Sequence, residues 1–154
     1  MYTDHFAVGA GMAVRRDVIE DYYQSIVEGG AYVSGRVGTQ LSSAEDVDLD
    51  FFALSSGYRV GTVGSLRLCH VIPADRTTVD YFSRLMVAST KSAAEVNAKW
   101  STVFGGNVIA FFNISKRELR AKYWLSALLQ FNPKFRIRYH FYRTILDEVN
   151  SPRS

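Results

Sequence analysis

Val18, Ile19, Tyr22, Tyr23, Ile26 and Val27 recur at helical spacing, which predicts an amphipathic helix over residues 17–28. Gly29 and Gly30 follow it and stop it. Ahead of it, HFAV at residues 5–8 reads as a short strand running into GAGMAVRR. Ser42 and Glu45 have the spacing of a capping box, so a second helix is expected over residues 42–56, ended by Gly57. YRVGTV (58–63) and LRLCHVI (66–72) read as strands, and in the second Leu66, Leu68, His70 and Ile72 share one face. Pro73 closes that strand, and Thr77 with Asp80 caps a helix carrying Val79, Phe82, Leu85 and Met86. Residues 103–114, VFGGNVIAFFNI, are nearly all apolar and suit a buried segment or one lying in a membrane interface. Ser115 and Glu118 form another capping box, opening KRELRAKYWLSALLQF. Asn132 and Pro133 break that helix, and KFRIRYHFYRTILDEV forms a last one. The pattern is α/β at the front and helical at the back. The front opens in mid-fold, with a single strand and no complete βαβ unit before the first glycine turn.

Length and composition narrow the class. A chain of 154 residues is one domain by size and long enough to bury a core. Its 47% hydrophobic and 21% charged residues are ordinary for a soluble globular protein. One cysteine, Cys69, excludes an internal disulfide and an all-cysteine metal site, and fits a reducing compartment. No apolar core segment of a signal peptide is visible around Asp4 and His5. No run reaches the roughly 18 to 20 apolar residues that cross a bilayer.

Charge divides the chain. Residues 1–112 hold 9 Lys/Arg against 12 Asp/Glu, a balance of −3, and residues 113–154 hold 9 against 3, a balance of +6. The basic, aromatic-rich tail is either a solvated helix face or a surface for an anionic partner, nucleic acid or lipid headgroups.

The acids lie mainly in LSSAEDVDLDFF, residues 41–52. DVD and DLD match the letters of a DxD metal motif, but on a helix residues i and i+2 point about 200° apart and cannot chelate one ion together. Asp46 falls in the first turn of its helix, where the helix dipole favours a carboxylate. Such an acid is either purely structural or a proton acceptor. His70, among apolar neighbours, reads as a hydrogen-bonded core residue. Arg76 precedes a helix start and Arg36 stands near glycines, where each can meet an anion or simply face solvent. Trp100 and Trp124 read as packing residues. A P-loop, an HExxH and a nucleophile elbow are all missing from the sequence.

GAGMAVRR (9–16), SGRVGTQLSSAEDVDL (34–49), GYRVG (57–61), LRLCHVIPADR (66–76) and YFSRL (81–85) occur in the order found in bacterial family 2 glycosyltransferases, and the front of the chain resembles that family over residues 6–85. The resemblance implies an α/β chain, the C-terminal, acceptor-side half of a GT-A fold with a helical C-terminal extension. Residues 1–112 would form the acceptor-side part and residues 113–154 a basic, aromatic helical tail.

The implied activity is inverting transfer of a sugar from a nucleotide sugar to a hydroxyl of a glycan or lipid-linked acceptor, as in polysaccharide biosynthesis. Glu45 and Asp46 match the family's Glu-Asp pair, whose Asp is the base. Gly9 and Gly11 match the loop bordering donor and acceptor. Arg36 and Gly38 match the loop before the acid pair, and His70 and Arg76 match positions facing the donor diphosphate. His70 matches a position that completes a metal site in related enzymes.

The resemblance also implies a divalent cation, Mg or Mn, in a complete enzyme. The nucleotide-binding half, with its own DxD, has no counterpart here. The chain therefore reads as truncated, inactive alone, with no cofactor held tightly and an exposed face awaiting the missing half or another chain. The expected location is cytoplasmic, with peripheral contact to the inner face of the plasma membrane through residues 113–146 and nucleic acid disfavoured. The alternative is a non-catalytic basic module on an anionic membrane surface or nucleic acid.

Overall fold

The computed structural model describes residues 11–36, 38 and 40–151. Among them the chain forms five α-helices: α1 (Arg16–Val27), α2 (Glu45–Ser55), α3 (Val79–Phe104), α4 (Lys116–Leu128) and α5 (Pro133–Asn150). Two short 3-10 turns, Ala74–Thr77 and Ala110–Asn113, join them. No strand occurs among the described residues, which overturns the expected α/β, GT-A-like architecture. HFAV lies outside those residues. The two other expected strands, 58–63 and 66–72, are irregular chain, and every residue from 61 to 78 is exposed. Among the described residues their backbone hydrogen bonds outside helices are local: Tyr58 N–H donates to Ala53 O at 2.9 Å and Leu66 N–H to Val63 O at 3.0 Å. Alternating apolar residues make a strand only when a neighbour supplies the ladder, and no described segment does.

Two apolar clusters hold the helices. Phe51 of α2 and Val96 and Trp100 of α3 pack with Val33, Ala44, Val108 and Ile109. Val18 and Tyr22 of α1 meet Leu49 and Ala53 of α2, with Tyr58 and Val60 at their edge. Phe52 touches both clusters. So α2 is enclosed by α1 on one side and α3 on another, which is why a helix this rich in acids carries so many apolar residues.

The 103–114 segment divides. Val103 and Phe104 end α3, Val108 and Ile109 are buried, and Phe111 and Phe112 are half-buried. Asn97, itself buried, fixes this crossing: its Oδ1 accepts from the backbone of Val108 at 2.9 Å and Ile109 at 3.1 Å, and its Nδ2 donates to Asn107 Oδ1 at 2.9 Å. Beyond it α5 packs against both α3 and α4. No described helix is long and apolar enough to cross a membrane.

The caps follow the sequence in part. Ser115 Oγ accepts from Glu118 N–H at 3.2 Å, but Glu118 pairs forward with Lys122 at 2.6 Å instead of closing the box. Asn132 caps α5, accepting from Lys134 N–H at 3.0 Å, with Pro133 in the first helical turn. The cap expected at Thr77 falls one residue later, where Thr78 accepts from Tyr81 N–H at 3.2 Å. The Ser42 box does not form. Ser42 Oγ donates to Gly35 O at 2.8 Å and α2 starts at Glu45 without a side-chain cap.

Candidate functional site

The start of α2 is held from two directions. Ser43 Oγ and Ser89 Oγ of α3 lie 3.2 Å apart, and Ser92 Oγ of α3 accepts from Ser43 N–H at 3.4 Å. Glu45 lies over the 34–36 loop: a Cβ added at buried Gly35 would fall 2.8 Å from the Glu45 carboxyl carbon. Glu45 Oε2 also accepts from Ala44 N–H at 3.0 Å. Half-buried Asp46 accepts from Val47 N–H at 2.9 Å. Glu45 and Asp46 thus occupy the first turn of α2 beside the loop that carries exposed Arg36.

The remaining expected site residues are scattered. Gly9 lies outside the described residues. Gly11 is exposed and abuts the Leu68 side chain. Gly38 is exposed with φ 59°, a left-handed position that favours glycine. His70 is exposed instead of sitting in a core, because the strand that would have buried one of its faces does not form. Arg76 is exposed in the 3-10 turn before α3. None of the cavities described below is lined by Asp46 together with His70 or Arg76.

The best-built polar cluster in the described chain centres on Asp48, two residues further into α2. Its side chain is fully buried. Trp100 Nε1 donates to Oδ1 at 2.6 Å, and Tyr22 Oη and Lys99 Nζ donate to Oδ2 at 2.7 and 2.8 Å. The Lys99 ammonium also lies 4.9 Å from the centre of the Trp100 ring and 5.8 Å from that of Tyr22, a cation–π arrangement. Burial first, and then the hydrogen bond to Asp48, holds the Tyr22 hydroxyl well above the usual tyrosine range. Sequence reasoning passed over this carboxylate. A signal was there: Ala44, Asp48 and Phe51 share a helical face by spacing, so Asp48 is an acid on an apolar stripe. Trp100 packs as expected, whereas Trp124 is exposed.

Two of the concavities lined by described residues hold ionisable groups of interest. One of about 160 Å³ lies between α1, α2 and the 58–61 segment, with buried Asp50 on its wall beside Arg15, Tyr58 and Arg59. Asp17, bonded to Arg15 of that wall, has its pKa drawn down to about 2, chiefly by that hydrogen bond. The other, about 420 Å³, is a groove between α3 and α5 lined by Asp80, Arg84, Lys91, Arg136 and His140. Burial, then Arg136 and Arg143, lowers the His140 pKa.

No family model, curated protein or solved structure matches the chain. Among the described residues Asp46 and Asp48 do not fit a divalent-cation site of the kind the resemblance implies. Both Asp48 oxygens are engaged by protein donors, so Asp46 and Asp48 offer no shared pair of ligands. Among the described residues no three His, Cys, Asp or Glu side chains converge.

Proposed function

We propose that the chain carries the acceptor side of an inverting glycosyl transfer, with Asp46 as the base. The observation that carries this reading is the position of Glu45 and Asp46 in the first turn of α2, beside the loop holding Arg36. The order of short motifs around that pair supports it. Asp48, two residues further along on another side of the same helix, fixes α2 against α1 and α3, so the opening carboxylates are presented from a rigid support.

In this reaction an acceptor hydroxyl attacks the anomeric carbon of a nucleotide sugar. Asp46 takes the hydroxyl proton as the new C–O bond forms, and the bond to the diphosphate oxygen breaks with its electron pair leaving on the nucleotide. Nucleotide binding falls to another polypeptide segment or chain. The expected acceptor is a glycan or a lipid-linked glycan.

The test uses the tagged chain isolated from its own cells together with whatever it binds. Radiolabelled nucleotide sugars are supplied with a membrane extract as acceptor. Asp46→Asn should lower transfer by about 10²-fold or more and leave the melting temperature unchanged. Undiminished transfer by that variant would remove Asp46 as base, and no transfer from any nucleotide sugar by the wild-type preparation would remove the activity.

A further inference from the structure

The outward face of α4 is apolar and remains in water. Trp124 is 63% exposed, Leu125 54% and Leu128 75%, and Phe131 in the turn beyond is 82% exposed. The opposite face is already engaged: Leu119 and Ser126 are buried, and the Tyr123 ring stacks on Tyr139 of α5 with centroids 5.4 Å apart. Arg117, Ala121, Trp124 and Leu128 follow one another at helical spacing along the exposed side, with exposed Arg120 beside them. Residues 116–143 carry 8 Lys/Arg and a single acid, Glu118. That acid is neutralised by Lys122 at 2.6 Å.

We propose that this face of α4, with the turn through Phe131, docks on an anionic bilayer surface. The inference does not depend on the glycosyl-transfer reading. An indole, two leucines and a phenyl ring bordered by arginines match the interfacial zone, where rings and aliphatic chains enter the acyl boundary and cations meet phosphates. α4 has 13 residues, too few to span, so it would lie in the plane of the surface. A second copy of the chain fits less well, because a two-fold contact would bring Arg117 and Arg120 of both copies into one interface whose nearby acid, Glu118, is already paired with Lys122. A nucleic acid would engage the cations and leave Leu125 and Leu128 in water.

The experiment is flotation of the full chain with phosphatidylcholine vesicles, with and without phosphatidylglycerol. Trp124 fluorescence is read alongside; the chain's other tryptophan, Trp100, is buried. The expected result is flotation with the mixed vesicles, a blue shift on binding and far weaker partition to neutral ones. Paired Arg117→Glu and Arg120→Glu should weaken partition by about tenfold or more. Paired Trp124→Ser and Phe131→Ser should do the same. Both pairs are exposed, so the melting temperature should hold. Chain left in solution by the mixed vesicles would overturn the proposal, as would undiminished flotation of the Trp124/Phe131 pair. So would dimerisation or nucleic-acid binding through these residues without any vesicle binding.

Discussion

At the scale of single residues, Asp48 matters most to the fold. Its two oxygens take donors from three side chains on two other helices, so removing it strands a phenol and an indole N–H in a buried place and leaves Lys99 without its counter-charge. Breaking a buried ion pair from one side typically costs about 3–5 kcal/mol, with unsatisfied donors contributing to that loss. Asp48→Ala should therefore lower unfolding free energy by about that amount in urea titration; a loss under about 1 kcal/mol, the size of an exposed pair, would show that the cluster is not the clamp. His140 makes a second prediction. Burial, Arg136 and Arg143 disfavour its charged form and Asp80 favours it, while Arg84 and Lys91 face the same groove from α3. Its pKa is lower folded than unfolded, so its contribution is present above the ordinary histidine range and disappears as pH falls through the lowered folded value. The melting temperature should fall on mild acidification, and His140→Gln should flatten that part of the curve.

At the scale of elements, the helices were legible and the strands were not. The stripe from Val18 to Val27 placed α1 within one residue at each end, and Gly29, at φ 91°, stops it. Pro133 read as a break because proline ends one helix; it also starts the next, in the first turn of α5. The start of α2 slipped because Ser42 turned its hydroxyl to the carbonyl of Gly35, a long-range bond that no local pattern contains. The alternation from Leu66 to Ile72 is a local signal, but a strand is a property of two segments, and the second is absent from the described residues. Helical spacing likewise gives α4 two candidate faces, and only packing against α5 decides that Leu119 goes in and Trp124 stays out. Of the site, the opening acids of α2 were visible; Asp48 was not, because its donors come from residues 26, 51 and 52 positions away. One element boundary is testable directly. Gly105 ends α3 at φ 73°, with Gly106 N–H donating to Ser101 O at 2.9 Å. Gly105→Ala should destabilise by about 1 kcal/mol through the strain of a left-handed alanine, measured by thermal melting.

At the scale of the whole molecule, two helical parts meet across α2 and α3: α1 and α2 on one side, and α3, α4 and α5 on the other. The chain between them, residues 56–78, crosses the surface with little to cover it. Val63, Leu66, Leu68, Val71 and Ile72 are all exposed there, and so is Arg67. An uncovered loop with a basic side chain at its middle is where a protease enters a folded protein. Brief trypsin treatment should nick the chain first after Arg67, giving two bands on a denaturing gel. The halves should nevertheless elute together from a sizing column, because Phe51 remains packed on Trp100 and the Asp48 carboxylate still joins fragments that no longer share a backbone. The severed protein would then be a two-piece complex, open to rebuilding from separately expressed segments.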